Sequence, residues 1–458
     1  MSRGRPRTFV NGHIADSWLS VDNRSVDLST TVEEESSGGP SSGKGKPGVL
    51  ILFSGDRPLA EVRSFGDGRL LIGRKGLPDE RLSREHAELE VRADEFTIKD
   101  LDSRNGTFLD GIRVQSSLTA APGSLLRCGH TLALLSADVR PFERGISIEG
   151  DQVIGPTLRR VLDRVGSSAR SGANLLIQGE SGTGKEIAAR EFHRLCSHSS
   201  GPFVAVNAAA IPAEIAERLL FGTRRGAYSG ANADADGYVQ SADHGVLFID
   251  EVGELAPAVQ AKLLRVLETC EVLALGAVRA THVDVSLCFA TNRNLRASVV
   301  QGSFRADLYH RIARPSVAMP PLRERREEIP WLIARSLDRR EPKLRAHATL
   351  VEACMRRPWP GNVRELLSAV EEAADQASAE AKTTVTLRHL AADAGIAESD
   401  ESPREAAEPP RAAPGRDDIL RALEKCHGNI AAAARMVGLH RSTMYRAMRR
   451  LGIDVTRS

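Results

Sequence analysis

Between residues 48 and 136 the chain alternates short apolar runs with turns marked by glycine and aspartate. Val49-Leu50-Ile51-Leu52-Phe53, Arg69-Leu70-Leu71-Ile72 and Glu95-Phe96-Thr97-Ile98 are strand-length and flanked by turn signals, so the pattern predicts an all-β unit. From 149 to 374 the rhythm changes. Apolar runs such as Leu175-Leu176-Ile177 and Val246-Leu247-Phe248-Ile249 alternate with amphipathic segments, which predicts a parallel α/β sheet. Residues 416–455 return to helical spacing. The rest lacks this order. Residues 1–47 are polar and end in a Gly/Ser/Pro-rich stretch, and read as a disordered tail. Residues 137–148 read as a linker, and 375–415 as a helical segment followed by a linker rich in Glu, Pro and Ala. A multidomain chain is expected: a β-sandwich, an α/β unit with helices after it, and an all-α C-terminus.

The α/β unit carries the clearest chemistry. Gly179-Glu180-Ser181-Gly182-Thr183-Gly184-Lys185 follows the apolar strand Leu175–Ile177 and fits the phosphate-loop pattern GxxxxGK. Its glycines let backbone N–H groups close around phosphate oxygens, and Lys185 reaches the terminal phosphates of a nucleoside triphosphate. The strand Val246–Ile249 ends in Asp250-Glu251. Ligands bind at that edge of a parallel sheet. Asp250 is placed to hold Mg²⁺ through its water shell, and Glu251 to polarise an attacking water.

The order of further motifs resembles the AAA+ domain of bacterial enhancer-binding proteins, the ATPases that activate RNA polymerase carrying sigma-54. Gly179–Glu186 matches the family's GESGTGKE, with Glu186 where most phosphate loops have Ser or Thr. The resemblance implies that Asn207 restrains the catalytic glutamate and that Asn292, in Phe289-Ala290-Thr291-Asn292-Arg293, is a first sensor. It implies that Arg305 and Arg311, in Phe304–Arg311, are arginine fingers reaching a neighbouring subunit's nucleotide. Arg364, in Trp359-Pro360-Gly361-Asn362-Val363-Arg364-Glu365-Leu366, is then a second sensor, and Pro320–Arg325 marks the junction to a helical lid. ATP and Mg²⁺ are the implied cofactors. The implied assembly is a homo-oligomer, from dimer to hexameric ring.

The family's sigma-54 contact loop, GAFTGA, is matched by Gly226, Ala227, Tyr228, Ser229, Gly230 and Ala231. Tyr228 keeps the aromatic ring and Ser229 the hydroxyl. The flank departs further, because Leu219 and Arg224 stand where the family has carboxylates. Two readings stay open. One is an activator that contacts sigma-54, and the other is a DNA-binding AAA+ regulator that acts without it.

In the β unit, Leu71-Ile72-Gly73-Arg74, Leu82-Ser83-Arg84-Glu85-His86 and Asp102-Ser103-Arg104-Asn105-Gly106-Thr107 resemble a forkhead-associated (FHA) domain, a β-sandwich that binds phosphothreonine peptides. The resemblance implies that Arg74 and Ser83 contact the phosphate, that Asn105 holds the peptide backbone, and that Arg84 adds charge. A dianionic phosphate needs a fixed guanidinium and small donors. The segment between Arg74 and Ser83 is shorter than usual. The implied partner is a phosphothreonine protein or the chain's own phosphorylated tail, with a Ser/Thr kinase upstream.

The C-terminus resembles the Fis-type helix-turn-helix. From Arg435 to Arg450 there are five arginines and no acidic residue. That local excess is an electrostatic footprint for DNA. His440, Arg441, Ser442 and Thr443 would face base edges or nearby phosphates; Tyr445 matches the motif, and Arg446 and Arg450 would touch the backbone. The implied partners are upstream activator DNA and the sigma-54 polymerase.

Composition adds little pull of its own. Formal net charge is only +2, so any nucleic-acid surface must be local. The six cysteines are scattered without ligand spacing, which suits a reducing compartment. No apolar run approaches the roughly 18 residues of a membrane span. A cytoplasmic protein without membrane contact is expected.

Overall fold

The short apolar runs of the first unit form two antiparallel sheets. The computed structural model describes residues 45–92, 95–227, 232–396 and 420–422. The strands are β1 (Gly48–Ser54), β2 (Arg57–Ser64), β3 (Arg69–Ile72), β4 (Ala87–Arg92), β5 (Glu95–Asp100), β6 (Thr107–Leu109), β7 (Ile112–Arg113), β8 (Ser117–Ala120), β9 (Leu125–Cys128) and β10 (Thr131–Ser136). One sheet has the order β2-β1-β10-β9-β6-β7 and the other β3-β4-β5-β8. Val49, Ile51, Ile72, Leu89, Phe96, Ile98, Leu126 and Leu135 fill the space between them.

A hairpin of β11 (Ser147–Glu149) and β12 (Gln152–Ile154) leads into α1 (Pro156–Arg170). The α/β unit continues with β13 (Leu175–Gln178), α2 (Lys185–Leu195), β14 (Phe203–Asn207), α3 (Ala213–Phe221), α4 (Tyr238–Ser241), β15 (Val246–Asp250) and α5 (Pro257–Thr269). After the small pair β16 (Glu271–Val272) and β17 (Thr281–His282) come β18 (Ser286–Thr291), α6 (Leu295–Val300), α7 (Ala306–Ile312) and β19 (Ser316–Ala318). The sheet is parallel with the order β14-β15-β18-β13-β19. β15 shows why its run is continuously apolar: Leu247 and Ile249 enter one core, Val246 and Phe248 the other. A strand covered on both faces has no polar side to alternate with.

The lid comprises α8 (Ile329–Asp338), β20 (Arg345–Ala346), α9 (Ala348–Arg356), α10 (Asn362–Ala379) and β21 (Thr384–Val385). Trp359 is fully buried at its centre, and its indole N–H donates to the Cys354 carbonyl at 2.7 Å. The packed lid extends past residue 374, because Val385 and Leu390 are buried in the same core and the Trp359 amide donates to the Gly395 carbonyl.

The sandwich, the parallel α/β sheet and the helical lid agree with the sequence expectation. Apart from Leu420–Ala422, the helix-turn-helix lies outside the described residues, as do residues 1–44 of the tail. Cys128, Cys196, Cys288 and Cys354 are buried free thiols, and burial pushes Cys128 and Cys354 up to about 12. No helix among the described residues is long and apolar enough to cross a membrane.

Candidate functional site

The loop after β13 and the end of β15 meet because their strands sit one strand apart, with β18 between them. The Lys185 side chain is 7% exposed and its Nζ donates to the carbonyls of Gly179 (3.1 Å) and Glu180 (3.4 Å). It also pairs with Glu251 Oε1 at 3.3 Å. Glu251 Oε2 accepts the backbone N–H of Asn292 at 3.0 Å, so the end of β18 joins the same cluster. Burial pushes the Asp250 carboxyl up; the Lys185 ammonium pulls it down and the Glu251 carboxylate adds to the rise. A buried carboxyl destabilised as an anion beside a second carboxylate is a chemically fitting position for a divalent cation. A cleft of about 990 Å³ opens along this edge, lined by Gly179, Glu180, Thr291, Asn292 and Pro321 among others.

The phosphate loop is held from outside by the lid junction. Arg323 donates twice to Glu180, at 2.7 and 2.9 Å, which draws that carboxyl down. Asn362, buried at the start of α10, donates to Glu180 Oε2 and the Ser181 carbonyl, each at 3.0 Å. Arg325 is buried and donates to the Thr183 carbonyl at 2.6 Å while pairing with buried Glu328 at 2.9 Å. Glu328 also accepts the Gly155 amide at 2.9 Å, which ties the N-terminus of α1 into the junction. Arg364 reaches Ser181 Oγ at 3.2 Å. Gly182 has φ of +75°, and a Cβ there would lie 2.1 Å from the Gly361 carbonyl. Only glycine lets loop and lid approach this closely.

Other sequence-designated residues fall into different surroundings. Asn207 lies in register with Asp250, but its carboxamide oxygen caps Ala209 at 2.9 Å; among the described residues its side chain makes no hydrogen bond to Glu251. Glu186 pairs with Arg190 on the exposed face of α2. Arg305 precedes α7 and pairs with Asp307 at 2.7 Å, and Arg311 donates to the Leu267 carbonyl at 3.2 Å; both are exposed. Of the loop 226–231, Gly226 and Ala227 are described and Tyr228, Ser229, Gly230 and Ala231 lie outside the described residues. The base of that loop is ordered, since Arg224 pairs with Asp234 at 3.2 Å and the Arg225 amide donates to the same carboxylate. His440, Arg441, Ser442, Thr443, Tyr445, Arg446 and Arg450 also lie outside the described residues.

At the apex of the sandwich, buried His86 links two loops. Its Nδ1 accepts the Ser83 amide at 3.1 Å, so Nε2 carries the proton and donates to the Gly106 carbonyl at 3.2 Å. Burial pushes its pKa down, consistent with that neutral tautomer. Arg74 donates to the carbonyls of Leu82 (2.8 Å) and Glu80 (2.9 Å), and Asn105 to that of Arg81 (2.7 Å). Ser83 Oγ accepts the Arg104 amide at 3.3 Å, and exposed Arg84 stands beside it. Arg74, Ser83, Arg84 and Asn105 are thus gathered by adjacent loops.

Sequence reasoning passed over Arg323, Arg325, Glu328 and Asn362 as individual residues. For Arg325 and Glu328 the signal is the charged run Arg323–Glu328, enclosed between Leu322 and Ile329-Pro330-Trp331; Arg323 at its start stays exposed, and Asn362 has no such signal. Charges bracketed by apolar anchors are carried into the interior and must find partners there.

Comparison with known proteins assigns family models to four successive parts of the chain. The profile described as Sigma-54 interaction domain matches residues 153–318, and that of the AAA+ ATPase lid domain matches 323–407. The FHA domain matches 70–129, and the Fis family of bacterial regulatory proteins matches 416–451. Transcriptional regulatory protein GlrR of Escherichia coli (strain K12) is 35% identical over 309 residues, covering 65% of this chain and 67% of that protein. The chain belongs to the sigma-54-dependent transcriptional activators. Within this family, the Nif-specific regulatory protein of Herbaspirillum seropedicae is 41% identical over 276 residues (57% of this chain, 51% of the relative). Nitric oxide reductase transcription regulator NorR2 of Cupriavidus necator is 38% identical over 334 residues (66% and 63%). The chain thus spans between about half and two thirds of the length of these curated relatives. The FHA match precedes the sigma-54 interaction domain in the chain and the Fis-family match follows it.

Proposed function

We propose that this chain is an ATP-hydrolysing transcriptional activator that binds upstream DNA and remodels the closed complex of sigma-54 RNA polymerase. Its input is a phosphothreonine recognised by the FHA domain. The observation that carries this reading is the convergence of Lys185, Asp250, Glu251 and the Asn292 backbone at one sheet edge, gripped by the lid through Asn362 and Arg325.

In this reading the Gly179–Lys185 loop and Glu186 hold the nucleotide, with Lys185 on the terminal phosphates. Asp250 would hold Mg²⁺ through its water shell, and the ion would supply positive charge to the phosphate oxygens. Glu251, held by the Asn292 amide, would accept a proton from the attacking water, and Asn207 would restrain it once its carboxamide turns from Ala209. Arg364 approaches from the lid. Arg305 and Arg311 are exposed and would complete a partner subunit's site, so hydrolysis would require a homo-oligomeric ring. Gly226–Ala231 would contact sigma-54. Arg74, Ser83, Arg84 and Asn105 would hold the phosphothreonine, supplied by a Ser/Thr kinase on another protein or on the chain's own tail. His440–Thr443, Tyr445, Arg446 and Arg450 would contact DNA.

Open-complex formation on the chain's own target promoter, with sigma-54 polymerase, ATP and phosphopeptide, is the expected result of a reconstituted assay. Tyr228→Ala should abolish activation while leaving ATP turnover intact. Unchanged activation by that variant would favour the second reading, regulation without sigma-54. The replacement of family carboxylates by Leu219 and Arg224 motivates that alternative, although the pairing of Arg224 with Asp234 offsets one altered charge.

A further inference from the structure

The outer face of the FHA sheet is covered by the chain's own lid. β1 is buried along its whole length. Val49 and Ile51 enter the sandwich core, whereas Leu50 and Leu52 enter the lid core. The same alternation divides Leu126 and Leu135 from Leu125 and Leu132. α8 lies against β2, and α9 against β9 and β10. A polar seam surrounds the apolar contact. Arg127 Nε donates to Glu352 Oε2 at 2.7 Å, with both side chains largely buried and the guanidinium 3.8 Å above the Phe108 ring. Arg326 donates to the Gly123 carbonyl, and Arg345 pairs with Asp56. The rings of His130 and His347 meet edge to face, with centroids 4.4 Å apart.

This seam is wired to the loops of the phosphothreonine site. Residues 79–82 stand between the two. Their carbonyls accept Arg74 and Asn105 on one side. On the other, Asp79 Oδ2 accepts the His130 amide (2.8 Å) and the Thr131 hydroxyl (2.9 Å). His130 then abuts His347, whose ring accepts the Thr349 amide and so caps α9. α9 carries Glu352 and leads through Trp359 to Asn362, which grips the phosphate loop.

We propose that docking of the sandwich on the lid and binding of phosphothreonine are antagonistic, so that a phosphopeptide releases the lid. The proposal rests on the FHA reading of Arg74, Ser83 and Asn105. A phosphate competes for the Arg74 guanidinium that now braces the carbonyls of Glu80 and Leu82. Those carbonyls lose donors, the 79–82 loop slackens, and Asp79 no longer holds His130 against His347. By linkage, docking weakens phosphopeptide binding by the factor by which phosphopeptide weakens docking, so loosening the dock tightens phosphopeptide binding.

The test uses the full chain and a fluorescent library of phosphothreonine peptides with degenerate flanks, with the unphosphorylated library as control. Arg127→Glu should bind the phosphorylated library roughly fivefold or more tightly than wild type. The charge-swapped pair Arg127→Glu/Glu352→Arg should return towards the wild-type value. Hydrogen exchange of residues 348–356 in wild type should rise on adding the phosphorylated library, a measurement that needs no variant. Equal affinity for all three proteins, with exchange of 348–356 unchanged or slowed, overturns the antagonism and leaves the phosphopeptide reading standing. Binding to none of the three overturns that reading and the antagonism with it.

Discussion

Lys185 Nζ lies 3.3 Å from Glu251 Oε1, so the cation proposed for the terminal phosphates holds the carboxylate proposed as the base. The Asn292 amide takes the other oxygen. Glu251 itself sits at φ +52°, a left-handed conformation that non-glycine residues adopt rarely and that is found where a site constrains the backbone. Glu251→Gln keeps the side-chain length and an acceptor for Lys185, and removes the proton acceptor. The expected result is ATP affinity within a few-fold of wild type and turnover lower by about 10²–10⁴. A nucleotide titration and a phosphate-release assay separate the two quantities. Turnover within threefold of wild type would reassign the base.

Gly182→Ala tests the contact between phosphate loop and lid. The new methyl would meet the Gly361 carbonyl at 2.1 Å, at a residue whose φ is +75°. Backbone strain alone costs about 1–3 kcal/mol, and relief of the clash must move the lid away from the loop. Melting temperature and ATP affinity should therefore fall together. Retained affinity at a lowered melting temperature would show that the lid contact is not needed to hold nucleotide.

Chemistry written in neighbouring residues was legible in the chain. Gly179–Lys185 and Asp250-Glu251 each lie within one loop or strand end, and a glycine pattern or paired carboxylate betrays them. Contacts that join distant segments were not. Nothing in the spacing of Asn362 and Ser181, or of Arg325 and Thr183, says that these residues touch across the lid junction. Asn207 shows the same limit from the other side, because its motif position was clear while its carboxamide turned out to cap Ala209. The run Val49–Phe53 held a readable hint of two-sided burial, since a strand with one wet face alternates. What covers the second face could be learned only from the fold.

The buried Arg325–Glu328 pair should behave asymmetrically on mutation. Burial pushes the Glu328 carboxyl up to about 7, while the Arg325 guanidinium opposes that rise. Arg325→Met leaves Glu328 without its cation and removes the donor to the Thr183 carbonyl, for an expected loss of about 3–5 kcal/mol. Adding Glu328→Gln should recover part of it. With a folded pKa of about 7 against 4.5 unfolded, ionising Glu328 is a penalty that accrues between those values and levels off above 7 in wild type, whereas without Arg325 the folded pKa is higher still and the penalty keeps growing past 7. The Arg325→Met defect should accordingly shrink between pH 8 and pH 5 in thermal melts. A defect independent of pH would place its origin in the lost Thr183 contact.

The histidine pair at the seam gives the dock its own pH dependence. Burial lowers the pKa of His130, and His347, Arg81 and Arg127 add to that effect against the pull of Asp79. Burial also lowers His347, followed by Arg81 and Arg127. Once released into water, each ring returns towards 6.5. Below that value the released form binds more protons than the docked form, so docking weakens as pH falls through 6.5 and towards the depressed values. Above about pH 7.5 both forms are neutral and the contribution is constant. The difference in melting temperature between wild type and His130→Gln should therefore narrow from pH 7.5 to pH 5.5, because the wild type loses more on acidification. A difference that stays flat across that range would mean that the 4.4 Å ring contact carries no proton linkage.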